Sequence, residues 1–172
     1  MAYMPRVIDN ELKQCLNRTG AVLVRGPKWC GKTSTCEQLA ASALKMRDPD
    51  TYAANMEAAS IQPSLLLRGD KPRLIDEWQV APVLWDAVIN AIDMAGGEPA
   101  QFLLTGSATP PNFDKDDAPK HTGTGRIARV SMDPMSLEES GRSSCEVRLN
   151  DLFGGAQRVE GVSNISVEDY AK

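Results

Sequence analysis

Histidine is nearly missing from these 172 residues: His121 stands alone, beside four cysteines, three tryptophans, three tyrosines and three phenylalanines. With one histidine, and no CxxC pair among Cys15, Cys30, Cys36 and Cys145, a zinc module is disfavoured. A disulfide framework is disfavoured for the same reason, and reduced thiols are expected. No apolar run approaches the roughly 18 residues of a membrane helix, so no membrane span is expected. Met1 to Asn10 lacks the basic-then-apolar layout of a secretory leader, which makes a cytoplasmic location the expectation. A cationic excess is lacking too. The 19 Lys and Arg against 23 Asp and Glu give a net charge of -4, which argues against a whole-surface grip on nucleic acid but leaves a local basic patch open. No internal repeat or low-complexity tract is found.

What is present suits one globular domain, at 42% hydrophobic and 24% charged residues. Asn10 to Arg18 reads as a short helix with Gly20 as its stop. Ala21 to Val24 is a compact apolar run, suited to a strand buried on both faces. After a Gly/Pro loop, Cys36, Leu39, Ala40, Ala43 and Leu44 recur at helical steps and predict one amphipathic helix from Lys32. The stretch Met46 to Gly69 is expected to supply the second strand and second helix of a sheet. Arg73 to Asp76 and Gln101 to Leu104 read as strands, and a helix follows Pro82, with Leu84, Val88, Ala91 and Ile92 on one face and Gly96 and Gly97 as its stop. Thr109 to Gly125 reads as an exposed, mobile loop, and Arg126 to Val130 as a short strand. Ser136 with Glu139 resembles a capping box opening a helix, and Ser166 with Asp169 a later one.

Gly26-Pro27-Lys28-Trp29-Cys30-Gly31-Lys32-Thr33 matches GxxxxGK[ST] in full, with Ser34 continuing into the helix. Its glycines let successive N–H groups converge on phosphate oxygens at the positive end of that helix. Lys32 sets a compact cation against the β- and γ-phosphates, and Thr33 offers a hydroxyl to Mg2+. An accidental glycine turn is the plain alternative, and the apolar strand before it and the helix after it weigh against it. Leu74-Ile75-Asp76-Glu77 is the second element. An apolar strand ending in Asp76 brings a carboxylate beside the metal, and Glu77 is placed to activate water. Thr105 and Ser107, at the end of the next strand, are candidates to contact the γ-phosphate, against a simple strand-end turn. Arg126 is favoured slightly over Arg129 as an arginine offered to the transition state of a neighbouring subunit, against a pair of surface arginines. Trp29 is expected to be exposed and Trp85 to be packed. Cys30 is either a thiol activated by the helix N-terminus or inert filler, the latter being commoner.

Gly20 to Thr33 (GAVLVRGPKWCGKT), Pro72 to Gln79 (PRLIDEWQ), Phe102 to Ser107 (FLLTGS) and Gly125 to Ser140 (GRIARVSMDPMSLEES) together resemble prokaryotic AAA-like ATP-binding proteins, whose N-terminal ATPase domain precedes a C-terminal domain of unknown function. The resemblance implies a three-layer αβα P-loop fold with a mostly parallel sheet and an additional-strand catalytic glutamate. It puts Lys32 and Thr33 in Walker A, Asp76 and Glu77 in Walker B, and Thr105 or Ser107 near the sensor position. It also implies ATP and Mg2+ as cofactors, and catalytic roles for Glu77, Lys32 and Arg126. Family members continue past the point matching Lys172, so a helical lid and the further domain are expected to be missing. Residues 1–140 are then the ATPase core and 141–172 an extension leading into a lid or following domain.

The expected activity is hydrolysis of ATP to ADP and phosphate, driving a conformational change. Two alternatives stay open: a P-loop kinase of a small molecule, and a non-hydrolysing, nucleotide-gated interaction module. The acidic 109–125 loop fits a kinase lid poorly, and the absence of NKxD disfavours a GTPase. Expected partners are ATP, a second copy supplying the arginine in trans, and nucleic acid or a protein reached through the missing domain.

Overall fold

The computed structural model describes residues 3–106, 122–147, 149–155, 160–161, 166 and 168. The chain separates into two compact units, Ile8–Pro134 and Met1–Val7 with Met135–Lys172.

In the Ile8–Pro134 unit the order is α1 (Asp9–Leu16), β1 (Ala21–Arg25), α2 (Lys32–Glu37), β2 (Ser42–Lys45), α3 (Tyr52–Ile61), β3 (Arg73–Asp76), α4 (Val83–Met94), β4 (Phe102–Gly106) and β5 (Ile127–Ser131). The strands pair in parallel in the order β2-β3-β4-β1-β5. β1 is an unbroken apolar run because helices cover both faces of the sheet. Ala21 and Leu23 pack with Ile75, Leu104 and α4 residues such as Leu84, Val88 and Ile92. Val22 and Val24 point the other way, onto Leu12 and Leu16 of α1 and Cys36 of α2. The result is a three-layer α/β fold. Each fully buried side chain of this kind contributes about 1.5–3 kcal/mol of transfer free energy.

Three expectations are corrected here. The helix from Lys32 stops at Glu37, and Ala43 and Leu44 belong to β2. Ala41 N donates to Pro72 O at 2.8 Å, which draws this stretch into the sheet; ladder hydrogen bonds outweigh a helical apolar period that β2 happens to share. The second strand therefore lies before Met46, and the 46–69 stretch supplies α3 but no strand. Nor does Gly20 stop α1, which is capped at Asn17. A Cβ on Gly20 would sit 2.5 Å from Ile92 Cγ2, so this glycine admits α4 against the base of β1. The strands over Arg73–Asp76, Phe102–Gly106 and Ile127–Ser131 and the helix after Pro82 fall within a residue or two of expectation. Gly96 does end α4: Gly97 N bonds Ile92 O and Gly96 N bonds Asp93 O.

In the second unit, Ser136 and Glu139 exchange the two bonds of a capping box, Glu139 N to Ser136 Oγ at 3.1 Å and Ser136 N to Glu139 Oε2 at 2.7 Å. The expected helix does not follow. After one turn Gly141 enters the left-handed region at φ 68°, and Arg142 N closes on Leu137 O. Glu139 Oε1 instead accepts from Arg6 Nε at 2.9 Å and Val7 N at 2.7 Å, stapling the N-terminal segment to that turn. This unit also holds α5 (Leu149–Phe153). Asp169 lies outside the described residues, as do residues 109–121 of the expected loop. Among the described residues no helix is long and apolar enough to cross a membrane.

Candidate nucleotide-binding site

The carboxyl ends of β1, β3 and β4 lie side by side through the register Val24↔Thr105 and Asp76↔Thr105. Parallel strands aim the residues at those ends into one crevice, and Asp76, Thr105 and the loop after Arg25 meet there.

The loop's shape is set by three residues. A Cβ on Gly26 would lie 2.1 Å from Met132 O, so only glycine lets the chain after β1 pass the chain leaving β5. Trp29 and Gly31 both take left-handed backbone, at φ 72° and 99°. These turns leave the N–H groups of Gly31, Lys32 and Thr33 with no backbone acceptor among the described residues, at the N-terminus of α2. Amides so arranged form an anion cradle. Lys32 is 7% exposed, and its Nζ donates to Gly26 O at 3.0 Å and Pro27 O at 2.7 Å, the loop's own carbonyls. Cys30 is buried with its thiol donating to Met132 O at 3.6 Å, and is filler in the core rather than an exposed thiol. Pro27, Lys28, Trp29 and Ser34 are exposed around the rim. The expectation for Trp29 holds, at 91% exposure, and so does that for Trp85, which packs against Trp78 with ring centres 4.9 Å apart.

Asp76 is the hub of the site. Its Oδ1 accepts from Thr33 Oγ1 at 2.7 Å and, more closely, from Thr105 Oγ1. Thr105 Oγ1 in turn accepts from Glu77 N at 3.4 Å, so one hydroxyl bridges both acids. Glu77 has left-handed backbone at φ 59°, an uncommon state for a non-glycine residue and one often found at working sites. Its Oε2 accepts from Gln79 Nε2 at 2.8 Å and lies 3.5 Å from Arg47 Nε. Beneath them the Cys36 thiol is pushed up to about 12, chiefly by burial and then by the Asp76 and Glu37 carboxylates, against the pull of Lys32. It is a neutral, inert wall.

Arg47 and Gln79 were not singled out from the sequence. Gln79 ends the PRLIDEWQ segment and was legible there as a neighbour of Glu77. Arg47 carried no signal, because β2, which delivers it, was misplaced. Gln79 Oε1 is buried with no partner among the described residues, so the wall of the crevice keeps one acceptor in hand.

Arg126 is not brought to this crevice. It immediately precedes β5, with its carbonyl accepting from Ala21 N, at the amino edge of the sheet. A five-residue strand, about 16 Å at the usual rise, separates it from the phosphate loop of its own chain. Its guanidinium makes a two-point contact with Asp93, Nε to Oδ1 at 2.8 Å and Nη2 to Oδ2 at 3.3 Å. Arg129 donates to Thr122 O at 2.8 Å and lies over the Trp85 ring. Ser107 falls outside the described residues.

The crevice thus offers unsatisfied amides at a helix N-terminus, a lysine resting on loop carbonyls, and a hydroxyl–carboxylate pair beside them. That donor set fits a triphosphate tail. Residues 18–141 match the AAA domain family. The chain belongs to that family. Among solved structures, AMPPCP-bound DnaA from Aquifex aeolicus is similar at 12% identity with a TM-score of 0.47, over 90% of this AAA domain's chain and 56% of that one. The chain therefore spans little more than half the length of that protein. No curated protein matches it. At the level of the family, this is an ATP-binding P-loop domain of AAA type.

Proposed function

We propose that this AAA domain binds ATP with Mg2+ and hydrolyses it to ADP and phosphate, with water as nucleophile, to drive a conformational change. The observation that carries the proposal is the 2.7 Å bond from Thr33 Oγ1 to Asp76 Oδ1, which joins the phosphate loop to the acidic strand end. The amides of Gly31, Lys32 and Thr33 take phosphate oxygens, and Lys32 exchanges the carbonyls of Gly26 and Pro27 for the β- and γ-phosphates. Thr33 and Asp76 would hold Mg2+, which when bound supplies positive charge to the β- and γ-phosphate oxygens. Glu77 accepts a proton from the attacking water as the bond from the γ-phosphorus to the bridging oxygen breaks. Thr105 would contact the γ-phosphate, and Ser107 is given the same role from its place in the FLLTGS segment alone. Arg126 acts from a second copy, since no turn of its own chain carries it to the loop. Glu77→Gln is expected to keep ATP binding and lose phosphate release; unchanged turnover would overturn the role given to Glu77.

One observation favours a second reading. Arg47 and Gln79 both engage Glu77 Oε2, which is the arrangement of a base held out of use. In a nucleotide-gated module, ATP would set a conformation for a nucleic acid or protein partner without turnover. Single-turnover phosphate release, measured with and without DNA, separates the two.

A further inference from the structure

Glu77 and Gln79 are two positions apart, a spacing that keeps side chains off a common helical face. They meet because Glu77, at φ 59°, reverses the chain at the end of β3 and opens the short turn Trp78–Val80. Val80 N closes that turn on Glu77 O at 3.0 Å, so the backbone beneath Gln79 is fixed.

The Gln79 carboxamide has one end in use and one idle. Nε2 donates to Glu77 Oε2 at 2.8 Å, while Oε1 is buried with no partner among the described residues. The charge on Glu77 dictates this orientation, since exchanging the two ends would set Oε1 against a carboxylate oxygen. A Cβ on Gly106 would fall 2.6 Å from Oε1, so the amide lies across the end of β4, one residue beyond Thr105, in room that only glycine leaves. Buried acceptors are nearly always paired, and one left without a donor is costly. Restraining Glu77 does not account for that cost. It needs only a donor, and Arg47 already brings Nε to 3.5 Å from the same oxygen. The acceptor end of Gln79 is what the fold leaves over.

Hydrolysis leaves over the matching donor. The attacking water gives one proton to Glu77 and must point a lone pair at the γ-phosphorus, so its second hydrogen has to be held aside. We infer that Gln79 Oε1 accepts that second hydrogen, after the carboxamide turns about its terminal torsion into a crevice filled by ATP and Mg2+. This rests on the hydrolysis reading given above. Terminal torsions of this kind are broad, so the turn requires no movement of the backbone. Glu77 and Gln79 then grip the water by its two hydrogens. As the water oxygen bonds to the γ-phosphorus, the bond to the bridging oxygen breaks and its electron pair leaves with ADP. Glu77 keeps one proton. The other stays on the oxygen that has joined the phosphate, still donated to Gln79. Gln79 thus serves turnover and not the binding of ATP, the opposite of its part as a restraint in a gated module.

The test compares the full 172-residue chain with Gln79→Met, which keeps the length of the side chain and removes both polar ends. Phosphate release is measured at saturating ATP and Mg2+. Affinity is measured for a non-hydrolysable ATP analogue, and for ADP with aluminium fluoride, which imitates the γ-phosphoryl group in transit. Release by Gln79→Met is expected to fall about 10²-fold, the usual loss when one preorganised polar group is removed. Affinity for the ATP analogue should be unchanged, while the aluminium fluoride complex should weaken by the same factor as turnover, because only it engages the water. Release as fast as wild type, or faster, would overturn the role of Gln79 and leave hydrolysis standing. Equal weakening of both ligands would also overturn it, marking Gln79 as a part of the fold. A wild-type chain that releases no phosphate would overturn the hydrolysis reading, and this role with it.

Discussion

Thr33 Oγ1 donates to Asp76 Oδ1 at 2.7 Å, and this one bond ties the first turn of α2 to the carboxyl end of β3. The two residues are 43 positions apart, and they meet because β1 and β3 both flank β4. Motif order in the chain does not by itself bring them together.

Thr33→Val removes the hydroxyl and keeps the shape. A hydrogen bond to a charged acceptor contributes about 1.5–3 kcal/mol, and removal of one preorganised polar group costs about 10²–10³ in turnover. Mg2+-dependent phosphate release is expected to fall by that order. Wild-type release at saturating Mg2+ would show that Thr33 serves only the fold.

Arg47 holds Glu77 from a mostly exposed position, its side chain 69% accessible. Exposed pairs contribute about 0.2–1 kcal/mol. Arg47→Ala should therefore raise basal phosphate release by no more than about fivefold and leave ATP affinity unchanged. A fall in release would mean that Arg47 orients the base rather than restraining it.

Leu103 is fully buried at the centre of β4, against Val22, Leu74 and the α1–α2 layer. Leu103→Ala is expected to cost about 2–5 kcal/mol through lost burial and the cavity left behind. Urea denaturation measures it directly, and a loss below about 1 kcal/mol would mean that the layer collapses to fill the space.

Glu139 carries a pH dependence. Burial alone would raise its pKa, but hydrogen bonds from Ser136 N, Val7 N, Arg6 and Ser136 Oγ win and hold it at about 2 against an ordinary 4.5. A carboxyl lowered on folding stabilises fully above its unfolded pKa, and that contribution is lost as pH falls through the folded value. The staple should thus hold above pH 4.5 and release between 4.5 and about 2. Amide exchange at Val7 should rise across that window in the wild type, and be high and pH-independent in Glu139→Gln once intrinsic exchange rates are divided out. Equal protection in both chains would remove Glu139 from this role.

The sequence by itself determined the phosphate loop, β1, β3, α4 and the acidic pair Asp76–Glu77, because each rests on local chemistry. A strand covered on both faces must be a continuous apolar run, and a phosphate cradle needs glycine and lysine at fixed offsets. Tertiary structure alone decided β2, the fate of the capping box and the neighbours of Glu77. Ser42–Lys45 shares its apolar spacing with the helix before it, and only the sheet's open edge beside β3 selects a strand. Ser136 and Glu139 formed the expected reciprocal bonds, yet Gly141 ended the turn and Arg6 claimed the carboxylate. Arg47 reaches Glu77 because β2 delivers it there, and Arg126 is kept at the far edge because β5 runs parallel to β1. Periodicity records which faces are covered; which strand lies beside which depends on hydrogen bonds between residues far apart in the chain.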